Sequence, residues 1–259
     1  MQLIDSHCHI DVAEFDDDRA AVLQRCRQAG VAELVVPGVD RERWPGLIAL
    51  CRAEVGLHPA LGLHPIYIEQ HGTGAVTWLE QQLATTPEVI AIGEIGLDFF
   101  MTELDRSRQQ SLFEAQLTIA RDANLPVILH IRKAHDQVLS TLRRIPVKGG
   151  IAHAFNGSIE QARRFIELDF KLGFGGTMTY DGANKIHRLA RELPLAAIVL
   201  ESDAPDMVGA AHRGQRNSPE YLSEYLAALA ALRDETITDV ARETTHNTRQ
   251  VLGLNPSEL

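Results

Sequence analysis

The sequence predicts a single α/β domain with the architecture of a TIM (β/α)8 barrel. Eight short apolar runs, rich in Val, Ile and Leu, alternate along the chain with stretches of helical periodicity. This alternation is typical of βαβ units, whose strands lie parallel in one sheet. Eight such units in 259 residues match the usual size of a TIM barrel, about 250 residues. Because no linker or low-complexity segment interrupts the chain, we expect one domain over residues 1–259.

The eight predicted strands are short, and six of them end in a polar residue. A doubly wound open sheet is the structural alternative, but no GxGxxG motif follows an early strand. We therefore prefer the closed barrel. The predicted strands lie near residues 3–6, 34–37, 60–64, 89–94, 126–130, 150–153, 170–173 and 198–202.

Amphipathic segments predict helices between and after these strands. Residues 105–123 place apolar side chains on one helical face. Residues 158–161 form a capping-box start to another helix. Ser218 and Pro219 begin a helix with leucines at core spacing, and a final helix is expected near 236–252. The apolar positions in these helices are Leu112, Phe113, Leu117 and Ala120 in the first, and Leu222, Leu226 and Leu229 in the one after Pro219.

Composition and charge restrict the class of protein. The chain is 45% hydrophobic, which supports a large core, and its apolar runs are too short to predict a signal peptide or membrane span. Three cysteines without CxxC spacing are expected to be reduced thiols, so we predict a cytoplasmic location.

The net charge of -10 argues against a protein that coats nucleic acid. It does not exclude a nuclease, because bound divalent ions would supply local positive charge. Such an enzyme is expected to prefer nucleic-acid ends or short strands to long duplexes.

Six residues that can ligate metal ions lie where apolar runs end. Carboxyl ends of parallel strands meet on one rim of a barrel, so these side chains are expected to converge. Alternation along a strand directs both imidazoles of the HxH pair to one side, and an unpaired carboxylate after an apolar strand requires a cation. The six residues are His7, His9, Glu94, His130, His153 and Asp203.

Each of these residues alone has a simpler explanation. A core histidine usually forms a packing hydrogen bond, and Asp203 could cap a helix. Their coincidence at five of eight predicted strand ends favours a metal site. We expect His7, His9 and Asp203 to share one ion, His130 and His153 to hold a second, and Glu94 to bridge them.

Two divalent ions in such a site would activate a bridging water for hydrolysis. Zn, Mn or Mg are candidates, and the imidazole-rich ligand set favours a transition metal over Mg. Asp203 is the predicted proton acceptor, and Glu94 is the second catalytic candidate.

Three further residues are candidates for substrate binding. Arg132 and His64 lie beside the predicted rim and could hold a phosphate, although structural salt bridges would also explain them. Asn217 could contact substrate or could simply hold the loop before the Ser218 helix. The remaining loop and helix histidines are expected to be solvated: His71, His135, His187, His212 and His246.

The motifs that carry these residues resemble the TatD family of metal-dependent hydrolases, and its YjjV-type members most of all. The resemblance implies a TIM-barrel phosphoesterase that uses divalent metal, DNase activity that removes nucleotides from 3′ ends, and the same six ligands. Ser202 stands where Thr is common, and Asp206-Met207 replaces a more apolar pair. The matching blocks are DSHCHID at 5–11, GLHP at 62–65, GEIGLD at 93–98, LHIR at 129–132, HAFNGS at 153–158, LESDAP at 200–205 and RNSP at 216–219.

The sequence therefore predicts a two-metal hydrolase of nucleic-acid phosphodiesters, a 3′-5′ exodeoxyribonuclease with DNA or RNA ends as substrate. No membrane and no obligate protein partner are expected. One alternative keeps the metal site but hydrolyses a carboxylic ester or amide, such as an aminoacyl-tRNA ester. The other is a metal-stabilised interaction module, whose site would be closed by protein ligands.

Overall fold

A computed structural model describes residues 2–254, and in them the predicted TIM barrel is confirmed. Eight parallel strands pair in sequential order to form one sheet. The ends of the predicted domain, residues 1 and 255–259, lie outside the described residues. The strands are β1 Leu3–Asp5, β2 Val31–Pro37, β3 Leu57–Leu61, β4 Ala91–Asp98, β5 Val127–Arg132, β6 Gly150–Ala152, β7 Phe170–Phe174 and β8 Ile198–Leu200.

Helices follow each strand and surround the sheet. The capping box at Ser158 and Gln161 is confirmed, and the helix predicted after Ser218 begins as a 3-10 turn, Pro219–Tyr221, before it becomes α8. None of the helices described is long and apolar enough to cross a membrane. They are α1 Arg19–Gln28, α2 Trp44–Ala53, α3 Ala75–Thr85, α4 Arg106–Asp122, α5 His135–Arg144, α6 Ile159–Ile166, α7 Asn184–Glu192, α8 Leu222–Arg233 and α9 Ile237–Leu252.

The last strand returns to the first. The Ser6 amide donates to the Leu200 carbonyl at 3.0 Å, and the Asp203 amide donates to the His7 carbonyl at 2.9 Å. These bonds bring the segments after β8 and β1 together, which is where three of the predicted ligands lie.

Two apolar clusters fill the two faces of the sheet. One takes a residue from each of seven strands and is closed by Leu252 of α9. Strand residues one position away from these pack with the helices in the other cluster. Because strand side chains alternate between faces, the first cluster fills the barrel interior. Its strand members are Ile4, Val35, Ala60, Ala91, Ile128, Ile151 and Val199.

The predicted ends of the fourth and fifth strands, at Glu94 and His130, were wrong. β4 continues past Glu94 to Asp98, and β5 continues past His130 to Arg132. After a register irregularity, these two strands stay paired from Ile95 onward. Backbone pairing therefore extends both strands beyond their apolar runs. Glu94 and His130 lie within strands, a few residues before the strands end.

Candidate metal centre

The structure brings all six predicted ligands together in one pocket at the carboxyl ends of the strands. His7 and His9 follow β1, His153 follows β6, and Asp203 follows β8, while Glu94 and His130 project from β4 and β5. His64, predicted as a substrate contact, joins them from the turn after β3, where its Nδ1 accepts a hydrogen bond from Ile66 N. The centre thus draws on six of the eight strands.

Glu94 lies in the middle of this pocket, and its two oxygens face different imidazoles. Oε2 lies 3.1 Å from Nε2 of His7 and 3.5 Å from Nε2 of His9. Oε1 lies 3.1 Å from Nε2 of His64 and 2.9 Å from Nδ1 of His130. The side chain is 3% exposed. Glu94 therefore belongs to two of the groups of donor atoms that could hold a metal ion.

Three groups of donor atoms converge closely enough to hold a cation. They are His7, His153 and Asp203; His7, His9 and Glu94; and His64, Glu94 and His130, with the atoms of each group within 4.8 Å of one another.

The predicted division of ligands differs from these groups. Among the described residues, none of the three groups combines His130 with His153. His153 instead stacks on His7, with ring centroids 3.7 Å apart, while His130 meets His64 edge to face at 4.3 Å. The extension of β5 places His130 beside the β3 turn, and the sequence does not reveal that displacement.

The charges in the pocket are strongly coupled. Burial lowers the pKa of His153, but Asp203 and Glu201 outweigh it and raise the pKa to about 10. Burial also lowers the pKa of His9, and Glu94 reverses this, so that the pKa rises to about 9. Without metal, protons on these two imidazoles therefore balance the carboxylates. A bound divalent cation would supply this positive charge in place of the protons.

Asp98 is a functional residue that sequence reasoning missed. Its Oδ2 lies 3.0 Å from His130 Nε2, and its Oδ1 accepts hydrogen bonds from the amides of Phe100 and Met101. The buried carboxylate thus fixes the imidazole with Nδ1 towards Glu94. Such outer carboxylates orient metal-binding histidines. Its position in the sequence, four residues after Glu94 on the same strand, could have indicated this role.

Glu201 forms an ion-pair contact with His153 and was also missed. Its Oε1 lies 3.2 Å from His153 Nδ1 and accepts a hydrogen bond from the Ala154 amide at 2.6 Å. A Cβ atom on Gly173 would lie 2.0 Å from Glu201 Oε2. Glycine on β7 is therefore required for this carboxylate to reach the histidine.

The donor set fits divalent metal ions. Imidazole and carboxylate are the usual ligands of Zn, Mn and Fe, and both are buried here around a shared centre. The pocket also opens into a cleft of about 1080 Å³, lined by His9, His64, Glu94, His130, His153 and Asp203 among others. An ion held here would be accessible to a substrate.

Two of the predicted substrate-binding residues occupy different environments. Arg132 is half-exposed on the cleft wall, with its Nη1 3.9 Å from Asp98 Oδ2. Asn217 is fully buried: its Nδ2 donates to the carbonyls of Ser202 and Asp206, and its Oδ1 accepts from Ser218 N and Tyr225 Oη. The prediction of Asn217 as a substrate contact is therefore corrected, because its amide has no free group. It holds the loop that carries Asp203.

The prediction that the other histidines are solvated was wrong for His135. It is buried and packs edge to face against Phe155 and Phe165. His71 and His187 are partly buried, and each lies within hydrogen-bond distance of a backbone carbonyl. His246 is exposed as expected. These four residues lie outside the metal centre.

The barrel and its buried histidine and carboxylate cluster define a metal-dependent hydrolase. A family model described as TatD related DNase matches residues 4–253. The chain belongs to the TatD family.

Individual relatives agree with this assignment. The chain is 42% identical over 249 residues to the uncharacterized metal-dependent hydrolase YjjV of Escherichia coli, covering 95% of this chain and 96% of the relative. It is 28% identical over 262 residues to a protein of Pantoea ananatis named 3′-5′ ssDNA/RNA exonuclease TatD, covering 97% and 100%. The crystal structure of Escherichia coli YjjV superimposes with a TM-score of 0.94, at 41% identity and 98% coverage of both chains.

Metal binding is expected to release protons. His9 and His153 hold protons in the metal-free protein below pH values of about 9 and 10, whereas a metal ligand must be a neutral imidazole. Affinity for Mn²⁺ should therefore rise as pH increases from 6 to about 9. Titration calorimetry at pH 7.5 in two buffers of different ionisation enthalpy measures the protons released.

The exposed His246 provides the control for this measurement. His246→Gln should release the same number of protons as the unmodified protein. Equal binding enthalpies in both buffers would show that the imidazoles are already neutral before metal binds.

Proposed function

We propose that this protein hydrolyses phosphodiester bonds at the ends of nucleic-acid strands, as a 3′-5′ exodeoxyribonuclease with two divalent ions. The observation that carries the proposal is an open cleft in which Arg132 stands beside a buried cluster of metal-binding residues. The relative from Pantoea ananatis, named as an exonuclease for ssDNA and RNA, supports this substrate class.

Each residue has a distinct part in the proposed reaction. When bound, divalent ions supply positive charge that activates water and offsets phosphate charge. Glu94 holds the two halves of the donor set together, and Asp203 accepts the proton of the attacking water. Arg132 offers a planar fork of donors to a non-bridging phosphate oxygen.

The alternatives receive less support. The three donor groups open into the cleft and are not sealed by protein, which argues against a purely structural metal site. An arginine on the cleft wall favours an anionic diester over a neutral carboxylic ester. An ester or amide substrate is therefore an outcome of the test below and not a second proposal.

Turnover of bis-p-nitrophenyl phosphate tests the proposal. We expect hydrolysis that is lost after chelation and restored by Mn²⁺ or Zn²⁺, followed by release of mononucleotides from the 3′ ends of short DNA strands. A panel of DNA, RNA and an aminoacyl-tRNA ester separates the substrate classes. Hydrolysis of the ester alone would overturn the proposal. Absence of turnover on every substrate would also overturn it and would favour the metal-stabilised interaction module.

The role of Arg132 gives a separate prediction. Arg132→Ala should raise KM and lower kcat/KM about tenfold or more, as expected for one lost hydrogen-bonded charge. Metal content should not change, because the guanidinium is not a ligand. Both quantities are measured on a short oligonucleotide and by elemental analysis.

Arg144→Ala is the matched control, because Arg144 ends α5, is exposed and pairs with Glu114. It should leave kcat/KM unchanged. If Arg132→Ala behaves like this control, Arg132 does not bind substrate.

A further inference from the structure

A second arginine on the cleft wall is held in the same manner as Arg132. Arg43 immediately precedes α2, where its Nε lies 3.1 Å from Oδ2 of the buried Asp40 and its amide donates to Asp40 Oδ1 at 3.0 Å. Its guanidinium carbon lies 5.9 Å from the ring centre of Tyr67. Tyr67 also lines the cleft.

Arg132 shows the matching arrangement. Its guanidinium carbon lies 3.8 Å from the ring centre of Phe100, and a buried carboxylate, Asp98, lies 3.9 Å from Nη1. Both arginine side chains are 48% exposed. An aromatic ring and a carboxylate therefore restrict each guanidinium while leaving donors free, which reduces the entropy lost when an anion binds.

These two arginines are positively charged residues on a cleft wall that is otherwise rich in carboxylates. Among the described residues that line it, seven are carboxylates, and Arg43 and Arg132 are the only Lys or Arg. Arg43 follows β2 and Arg132 ends β5, three strands apart around an eight-stranded barrel. Between them lie β3 and β4, which position His64 and Glu94 of the metal centre. An anionic substrate thus meets two separate cationic points and repulsion elsewhere on the wall.

We propose that Arg43, supported by Tyr67, is a subsite for a second phosphate of the substrate, one nucleotide away from the phosphate that is hydrolysed. This inference rests on the proposed function, since it assigns Arg132 to the reacting phosphate and Arg43 to the neighbouring one. It makes a short strand with at least two phosphates the preferred substrate. It also gives an acidic protein a local means of binding a polyanion.

Three thymidine dinucleotides test the subsite: one with only the internal phosphodiester, one with an additional 5′-phosphate and one with an additional 3′-phosphate. Arg43→Gln should lower kcat/KM by about tenfold on one of the two phosphorylated dinucleotides, as expected for one lost charge-assisted hydrogen bond. Turnover of the unphosphorylated dinucleotide and of bis-p-nitrophenyl phosphate should change by less than about twofold. Which phosphorylated end responds also reveals the direction in which the strand lies.

Two further variants keep the test decisive. Arg41→Gln removes the same charge two residues away, on a side chain that pairs with Glu42 and does not line the cleft, and should have no effect on any substrate. Arg43→Lys keeps the charge without the planar fork and should recover part of the loss. Melting temperature and metal content show that Arg43→Gln remains folded and loaded.

The outcomes separate the subsite from the proposed function. An equal loss on all three dinucleotides, or no loss on any, would overturn the subsite while the phosphodiesterase activity stands. If the unmodified protein hydrolyses none of the dinucleotides and no bis-p-nitrophenyl phosphate, the proposed function fails, and the subsite with it.

Discussion

Asp203→Asn is expected to lower kcat by about 10² to 10⁴, the usual cost of losing a general base. Asp203 lies between His7 and His153 at 3.7 Å from each and borders the cleft. Burial raises its pKa to about 6, although His153 and His9 oppose the shift. Its position beside the cleft places the carboxylate where it can accept a proton from the attacking water.

Asn is a well-matched replacement at this position. The backbone of Asp203 has a φ of 56°, a left-handed conformation that Asn and Asp tolerate better than other side chains with a Cβ atom. The variant should therefore keep the fold and the hydrogen bond that the backbone amide of residue 203 donates to the His7 carbonyl. What it loses is the negative charge and the ability to take a proton.

Kinetics at increasing Mn²⁺ distinguish a base from a ligand. A base variant stays slow when metal content, measured by elemental analysis, equals that of the unmodified protein. Asp206→Asn is the control, since Asp206 borders the same cleft three residues later, and it should keep most of kcat. Full recovery of Asp203→Asn at high Mn²⁺ would make Asp203 a ligand only and Glu94 the next candidate for the base.

Much of the architecture could be predicted because it depends on local patterns. Apolar runs of strand length set the order of the eight strands, and the rule that parallel strands end on one rim placed the six ligands in one pocket. His7 and His9 illustrate this: both imidazoles reach Glu94 as the HxH spacing predicts, although both residues lie after β1 and not within it. Ser158 and Gln161 likewise form their capping box within four residues.

The missed features depend on contacts between distant segments. β4 and β5 extend past their apolar runs because they pair with each other, so Glu94 and His130 lie inside strands. Asp98 contacts His130 on the neighbouring strand β5, and Glu201 contacts His153 in the segment after β6. The environment of Asn217 depends on Tyr225, which lies on α8. A sequence pattern shows the residue types at these positions but not which partner each one meets.

Glu94→Gln is expected to have the largest effect on the metal centre. Oε1 faces His64 and His130, whereas Oε2 faces His7 and His9. Burial raises the pKa of Glu94, but His64 and His7 outweigh it and hold the pKa well below its usual range, so the group is ionised. Gln removes this charge and replaces one oxygen by an NH₂ group, which cannot bind a cation.

Both halves of the donor set should therefore lose affinity together. We expect metal content to fall in Glu94→Gln and kcat/KM to drop by more than about 10², beyond the 10- to 100-fold effects usual for outer residues such as Asp98. High Mn²⁺ should restore activity only partly. In the variant, either the histidine pair His7 and His9 or the pair His64 and His130 faces an NH₂ group and no longer an oxygen. Elemental analysis after gel filtration, together with kinetics against metal concentration, measures both effects.

The control for Glu94→Gln is a second buried carboxylate of the barrel. Glu33 lies on β2 near its amino end, away from the metal centre, and contacts His58 and Arg249. Glu33→Gln should lower thermal stability without altering metal content, because a buried pair is broken but no ligand is lost. Were Glu94→Gln to retain full metal content and lose only stability, Glu94 would be a structural counter-charge to the histidines, and the two groups of donors would have to bind metal independently of it.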